Sequence, residues 1–426
     1  MKIKFINHAC FIVENNSKKV MCDPWFKGSI FDNGWSLLED RLSECDYDYD
    51  HVWISHEHPD HFRPGLFCDN KISNQKKIIL QSRPKDKKLH NWFENRGYDV
   101  LEIPDDGYLY MDNNFKLCGD LNYDFDSWVC FKSGNKTILN LNDCISFKTD
   151  SEIQEIKNKV GDIDVLLAQF SFANWTGNRG DNKTPQRAKK IIFNNLERIF
   201  NIIKPKYIIP FASFVYFSHE ENFYLNDNSI KIDDFINYFS KEKIIVMKPE
   251  DQWEISDPWE HNDRNISFWR SRFDNINKKS LTKTKTVGVT ELKKSFQVMK
   301  QRIYKNNNMS LFSLKVNDFK PSIIFLTDLN KSFSFNILGE LKEAKTTQKE
   351  CDLLMSSESL LNVMKNSWGF GTLMVNGRFQ ANYKNFNNFV KQTRLDYMNN
   401  IGKYFPESIK IKDITNSPSL VNKLVG

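Results

Sequence analysis

One short segment of the chain concentrates side chains that bind metal ions. Within six consecutive positions stand three of the eight histidines and one aspartate: His56, His58, Asp60 and His61. The apolar stretch 51–54 (HVWI) precedes them and has the composition of a buried β-strand. Side chains two residues apart at a strand end point the same way, so His56 and His58 are expected to face one metal. Imidazole and carboxylate suit zinc, iron or manganese, and Asp60 and His61 are then placed for a second ion.

The rest of the sequence predicts an α/β protein of two domains. At 426 residues the chain exceeds what one hydrophobic core usually serves. Residues 1–255 are rich in short apolar strands with helices between them, which is typical of an αββα sandwich. Residues 256–305 are polar and predict a helical connector, and residues 306–426 predict a smaller α+β domain. In that domain we expect a strand over 372–379 (TLMVNGRF).

Composition and charge exclude several classes of protein. The net charge of +6 comes from 60 Lys and Arg against 54 Asp and Glu, spread along the chain as on a solvated surface. No apolar run approaches the roughly 20 residues that cross a bilayer, and the first residues have the pattern of a strand rather than of a secretion signal. The eight cysteines form no C-x-x-C pair, as expected of reduced thiols. We therefore expect a cytoplasmic protein that binds neither nucleic acid nor membrane.

The histidine segment has the H-x-H-x-D-H pattern of the metallo-β-lactamase superfamily, and other positions agree in order. NHA at 7–9 and DPW at 23–25 resemble the opening of the lactonase-like branch. The resemblance implies that Asp23 orients a ligand histidine from outside the metal site, with His8 also near the ligands or the substrate. It implies further that Asp143 bridges two metals, and that Asp60 and Asp143 act in catalysis by fixing the reactive group.

Two positions depart from the family pattern. The histidine of the third motif is absent, and Asp124 stands at its place, 19 residues before Asp143, with Asp126 on the same strand face. Either carboxylate would harden the site and favour iron, whereas the alternative is that both lie on the surface. The last histidine is replaced by Ala212, and His219 lies seven residues further on. His219 is predicted to reach back as a ligand; otherwise the second metal has one protein ligand fewer.

These departures make the chain resemble the metallo-β-lactamase region of the CMP-N-acetylneuraminate hydroxylase family, without its Rieske domain, and also the di-iron β-hydroxylase of chloramphenicol biosynthesis. The resemblance implies an oxygenase with two metal ions, iron favoured and zinc or manganese as alternatives. Its substrate would be a small polar metabolite and its electrons would come from an external donor. The alternatives are a zinc-dependent hydrolase of a phosphoester, lactone or amide, and a ligand-binding protein without turnover.

Two further segments bear on partners. Asn174, Trp175 and Arg179 follow a buried strand and are predicted to line the substrate pocket, with a structural loop as the alternative. Residues 369–382 (GFGTLMVNGRFQAN) resemble part of a sterol-carrier-like domain. Such a domain would bind an apolar ligand or serve packing and homodimer formation, and we favour the second of these.

Overall fold

The computed structural model describes residues 1–40, 47–84, 86–122, 126–147, 149–172, 174–239, 243–316 and 319–415. The strands in this part of the chain are β1 (Lys2–Asn7), β2 (Cys10–Asn15), β3 (Lys18–Cys22), β4 (Ser29–Ile30), β5 (Trp35–Leu37), β6 (His51–Trp53), β7 (Lys77–Gln81), β8 (Val100–Ile103), β9 (Leu109–Tyr110), β10 (Phe115–Asn122), β11 (Asp126–Ser133), β12 (Lys136–Asn142), β13 (Val165–Gln169), β14 (Tyr207–Phe211), β15 (Val215–Phe217), β16 (Gln252–Glu254), β17 (Ser322–Leu326), β18 (Lys331–Phe335), β19 (Leu341–Ala344), β20 (Leu353–Met355) and β21 (Phe379–Ala381).

The α-helices are α1 (Pro64–Cys68), α2 (Lys88–Glu94), α3 (Asp150–Val160), α4 (Lys183–Ile203), α5 (Ile232–Tyr238), α6 (Asn262–Asp274), α7 (Val289–Asn306), α8 (Met309–Lys315), α9 (Ser357–Lys365), α10 (Gly369–Asn376), α11 (Asn387–Asn400) and α12 (Ile411–Thr415). Short 3-10 helices cover Phe223–Asn228, Ile276–Lys278 and Gln348–Glu350. Within the described residues, no helix combines the length and the apolar character that crossing a bilayer requires.

Two large sheets pack face to face in the first domain. Their strand orders are β16-β1-β2-β3-β6-β7-β8 and β14-β13-β12-β11-β10-β9. Phe11 on β2 and Phe131 on β11 meet between them, with ring centroids 6.4 Å apart. On the outer faces, α1 and α2 pack against the first sheet, and α3 and α4 pack against the second. Because both faces of each sheet are covered, strands such as β2, β7 and β13 are apolar along most of their length, as an αββα sandwich requires.

The strand directions bring several loops to one edge of this sandwich. β3, β6, β7 and β8 are parallel to one another, and so are β12, β13 and β14. Parallel strands share the edge at which they end. The chain segments at the ends of β3, β6 and β12 are joined there, because Asn142 Nδ2 donates to Asp23 Oδ2 at 2.6 Å and to Ser55 Oγ at 2.9 Å. The histidine segment, which follows β6, therefore lies beside residues from both sheets.

The second domain is built on a sheet of order β19-β18-β17-β20-β21. Helices α7, α9 and α11 cover it through apolar side chains that include Phe296, Leu360 and Phe389. Residues 256–305, predicted as a helical connector, hold α6 and nearly all of α7, whose apolar side chains pack into different cores. Trp269 of α6 stacks on Phe214 of the first domain at 3.9 Å between ring centroids, whereas Phe296 of α7 belongs to the second core.

One element of the second domain differs in type from its prediction. The strand expected over 372–379 is helix α10 as far as Asn376, and only its end enters β21. A short apolar run has no periodicity that separates a buried strand from a buried helix. The packing decides here, because Gly369 lies so close to α9 that an added Cβ would stand 2.5 Å from Val363 Cα. Gly377, with φ +64°, then ends the helix in the left-handed conformation that favours glycine.

Candidate metal centre

The first group of potential ligands joins the histidine segment to the start of β11. One ligand atom each from His56, His58 and Asp126 lie within 4.8 Å of one another. His56 Nε2 is 2.8 Å from His58 Nδ1 and 3.6 Å from Asp126 Oδ1. Of the two carboxylates proposed for the third motif, Asp126 is thus beside the histidines, and Asp124 lies outside the described residues.

The second group lies next to the first and shares His56 with it. One ligand atom each from His56, His61 and Asp143 lie within 4.8 Å of one another. Asp143 Oδ2 is 3.4 Å from His61 Nε2 and 3.9 Å from His56 Nε2, so this carboxylate stands between the two groups. Asp60 Oδ2 is 3.2 Å from His61 Nε2 and extends the second group. The separations equal those of atoms that share one metal ion at bond lengths of about 2 Å.

Asp23 contacts the second group through His61, on the side of the ring that faces away from Asp60 and Asp143. It is fully buried and accepts hydrogen bonds from Ser55 N and Ser55 Oγ, both at 2.8 Å. Its Oδ2 also faces His61 Nδ1 at 2.9 Å. A carboxylate on Nδ1 keeps the proton there, which leaves the Nε2 lone pair of His61 directed at Asp60 and Asp143. Asp23 therefore has the geometry of the orienting carboxylate that the sequence predicted.

The charges of the site suit a cation. Burial, together with the neighbouring His61 and His58, lowers the pKa of His56 well below its usual range, so that its ring is neutral. Burial also disfavours a charged His61, but Asp60, Asp143 and Asp23 outweigh it and raise the pKa of that ring. Burial raises the pKa of Asp126 to about 6. A metal ion would supply the positive charge that these carboxylates lack.

Buried polar atoms of the site that have no hydrogen-bond partner show whether a metal ion would fit there. Buried polar atoms almost always have a hydrogen-bond partner. Here several atoms have none among the described residues, and all face the two groups or lie next to them: His8 Nδ1 and Nε2, Asp60 Oδ1, His61 Nε2, Asp126 Oδ1 and Asp143 Oδ1. Imidazole nitrogens and carboxylate oxygens are metal donors. The residues present therefore fit a metal-binding site.

Backbone strain surrounds the site and left no clear signal in the sequence. Near the site, five residues other than glycine have positive φ at or just after strand ends: His8 (39°), Asp23 (39°), Phe31 (48°), Asn142 (53°) and Ala212 (48°). Asparagine and aspartate visit this region more readily than alanine or phenylalanine does, so Ala212 and Phe31 are the least expected of the five. Such strain gathers at functional sites, where the surrounding structure maintains it.

The structure places His219 away from both groups, which corrects its predicted role as a ligand. After Ala212 the chain enters β15, which pairs with β5 and leads His219 toward the second domain. Its Nδ1 lies 3.5 Å from Glu221 Oε2 and its Nε2 lies 3.8 Å from Glu358 Oε2. Burial and the nearby Arg378 lower the pKa of His219 to about 4. The ring is thus a neutral part of a buried charge cluster between the domains.

The loop predicted to line the substrate pocket instead docks onto the second domain. Trp175 is fully buried and stacks on Phe379 at 5.0 Å between ring centroids. The N–H of Arg179 donates to Gln380 Oε1 at 2.7 Å, while its side chain is exposed and Asn174 is half-buried. Among the described residues, these contacts are those of a structural loop, which was the alternative to a lining of the substrate pocket.

Residues of the second domain fix the turn at Phe31 and Asp32, which belongs to the first domain and lies beside His58. Nothing in the sequence indicated this contact. The ring of Phe31 lies 6.4 Å from that of His58, edge to face. Asn376 Nδ2 donates to the Phe31 carbonyl at 3.1 Å, and Arg378 donates to Asp32 Oδ2 at 2.8 Å. Arg378 is itself fully buried and pairs with Glu221 and Glu358, both at 2.7 Å. We call residues 376–381 the interdomain clamp.

Comparison with known proteins agrees with this fold and site. Residues 2–115 match the family described as "Beta-lactamase superfamily domain". This match covers strands β1 to β9 and the H-x-H-x-D-H segment, so this part of the first domain is similar to the metallo-β-lactamase superfamily.

Two curated relatives are cytidine monophosphate-N-acetylneuraminic acid hydroxylases. The zebrafish protein (Danio rerio) is 24% identical over 260 residues, which cover 54% of this chain and 41% of that protein. The human protein (Homo sapiens), described as inactive, is 22% identical over 249 residues, 55% of this chain and 49% of its own length. The match thus spans less than half of each relative. Among solved structures, CmlA, a diiron β-hydroxylase from Streptomyces venezuelae, is 12% identical with a TM-score of 0.36, covering 67% of this chain and 52% of that one.

Proposed function

We propose that the protein is a di-iron oxygenase that hydroxylates a small polar metabolite with electrons from an external donor. The observation that carries the proposal is the carboxylate of Asp126 beside His56 and His58, where the family pattern has a histidine. Replacing an imidazole by a carboxylate makes the ligand set harder and richer in oxygen, which favours iron over zinc. The similarity to hydroxylases supports the same reading.

The side chains have separable tasks in this reaction. A bound iron pair supplies the redox chemistry by which one atom of O₂ enters the substrate and the other leaves as water, with two electrons and two protons taken up. Asp143 stands between the two ligand groups and holds them at a fixed spacing. Asp23 keeps the proton of His61 on Nδ1. Phe31 covers one side of His58 and limits the access of water to it.

We take a nucleotide sugar as the first substrate to test, because the zebrafish relative is named a cytidine monophosphate-N-acetylneuraminic acid hydroxylase. The full chain would be purified without oxygen, loaded with Fe(II) and given this compound, reduced methyl viologen and ¹⁸O₂. Incorporation of one labelled atom into the product is the expected result. Label that enters only from water, with undiminished turnover under argon and Zn(II), would establish the hydrolase instead.

The variant Asp126→His tests the observation that carries the proposal. It restores three histidines around the first metal, so the protein should still bind metal but prefer Zn(II) to Fe(II), and oxygen uptake should fall at least about 100-fold, in line with the loss of one essential group. Asp120→Asn, on the exposed face of the neighbouring strand, is the matched control. If Asp126→His keeps both the iron preference and the oxygen uptake, the carboxylate does not determine the reaction.

A further inference from the structure

The position of the last family histidine is filled by a residue with no ligand atom. Ala212 follows β14 and is buried at the edge of the site. Its N–H donates to the carbonyl oxygen of His8 at 3.0 Å. The turn between β1 and β2, which carries His8, is therefore bound directly to the strand end from which the missing histidine would have extended.

The ring of His8 points from that turn toward Asp60, beside the second ligand group. Its Nε2 lies 3.5 Å from Asp60 Oδ2, and the same oxygen lies 3.2 Å from His61 Nε2. The ring is 1% exposed, its Nδ1 has no hydrogen-bond partner among the described residues, and the contact of Nε2 with Asp60 is longer than an ordinary hydrogen bond. A buried imidazole held this loosely is costly, and a metal ion shared with Asp60 would remove that cost.

The surroundings of His8 hold it in this orientation. Trp25 packs edge to face against the ring, with centroids 5.3 Å apart. The backbone of His8 has φ 39°, and its N–H donates to Asn7 Oδ1 at 3.0 Å. A strained backbone and a pinned ring on an otherwise unsatisfied histidine are features of a preorganised ligand rather than of a core residue.

We propose that His8 is a direct ligand of the second metal, with Asp60, His61 and Asp143, and that it takes the place of the histidine that Ala212 lacks. The inference rests on the proposed function only in that a metal pair is bound. It does not depend on whether the reaction is an oxygenation. The second ion then has a nitrogen ligand from β1–β2, a part of the fold that the H-x-H-x-D-H segment does not include.

The test is a metal titration of the full chain after removal of metal, followed by chelator competition with Zn(II). His8→Asn is the informative variant, because asparagine tolerates positive φ and its side chain is shorter than imidazole. His219→Asn is the matched control, since it removes a buried histidine that lies outside both ligand groups, and thermal melting of each metal-free variant checks the fold. We expect two tight ions in the wild type and in His219→Asn, whereas His8→Asn keeps one.

The size of the effect separates a ligand from a positioning residue. Loss of a hydrogen-bonding partner of a ligand weakens metal binding by about 10- to 100-fold, so loss of His8 should weaken the second site by more than about 100-fold. Cadmium-113-loaded protein with nitrogen-15 histidine should also show scalar coupling to His8 Nε2. A weakening of less than 100-fold, or the absence of this coupling, overturns the proposal. Either result leaves the oxygenase test unaffected, because that test reads label in the product.

Discussion

Asp23 acts on the metal site without being in either ligand group, and a single change can show this. In Asp23→Asn the amide keeps the volume but loses the charge that faces His61 Nδ1 and the acceptor used by Asn142. We expect metal affinity to fall by about 10- to 100-fold, as for other residues that orient a ligand histidine. Isothermal titration of metal-free protein with Zn(II) measures this. Asp162→Asn, at a fully exposed aspartate, is the control, and equal affinities in the two variants would contradict the role of Asp23.

Asp32, in the turn beside His58, should give folding stability a distinct pH dependence. Burial raises its pKa from 3.8 to about 6, although Arg378 opposes the shift. A raised pKa means that the folded state holds this proton more tightly than the unfolded state does. The contribution of Asp32 to stability is therefore greatest below about pH 4 and is lost as the pH rises toward about 6, by on the order of 2 to 3 kcal/mol.

The comparison with Asp32→Asn isolates this effect from other titrating groups. Urea unfolding of both metal-free proteins between pH 4 and 7 gives the difference in their free energies of unfolding. Relative to the variant, the wild type should lose stability as the pH rises through this window. A difference that stays constant with pH would show that Asp32 titrates normally.

At the scale of elements, α10 offers a prediction with a control on the same helix. A Cβ on Gly369 would stand 2.4 Å from the Asn362 carbonyl oxygen, whereas a Cβ on Gly371 would have its nearest neighbour at 3.8 Å. Gly369→Ala should therefore destabilise the protein by about 2 kcal/mol through overpacking. Gly371→Ala should stabilise it by about 0.5 to 1 kcal/mol, because alanine favours the helix. Thermal unfolding distinguishes the two, and similar melting temperatures would refute the close packing of α9 and α10.

The elements that the sequence predicted well are those with a strong local pattern. The apolar central strands of the sandwich follow from both faces being buried, and the position of residues 56–61 follows from the apolar strand β6 before them. That these side chains bind metal stays a prediction. The sequence did not predict that 369–376 is a helix, because this depends on the contact between Gly369 and α9. It also did not predict the position of His219. The short distance along the chain from Ala212 suggested a ligand, but the pairing of β15 with β5 leads His219 toward the second domain.

At the scale of the whole molecule, Arg378 joins the two domains through buried charges. It pairs with Asp32, Glu221 and Glu358 and is fully buried. Arg378→Met would leave these carboxylates without their cation, which we expect to cost about 3 to 5 kcal/mol. Arg270→Met removes an exposed pair with Asp233 and should change the free energy of unfolding far less, because solvent screens such a pair. Chemical unfolding measures both, and a loss for Arg378→Met as small as for Arg270→Met would show that the cluster does not stabilise the interface.

The interdomain clamp limits the chimeric proteins that could be made by exchanging one domain of this chain for another. The wall beside His58 is formed by Phe31 of the first domain, but Asn376 and Arg378 of the second domain fix its backbone and its neighbour. Trp175 of the first domain likewise stacks on a residue of the second domain, Phe379. The two domains are consequently not interchangeable parts. A chimera that joins this sandwich to a foreign second domain would need residues 376–381 transplanted with it, or it would keep the His and Asp side chains of both groups and lose the support of the wall beside His58.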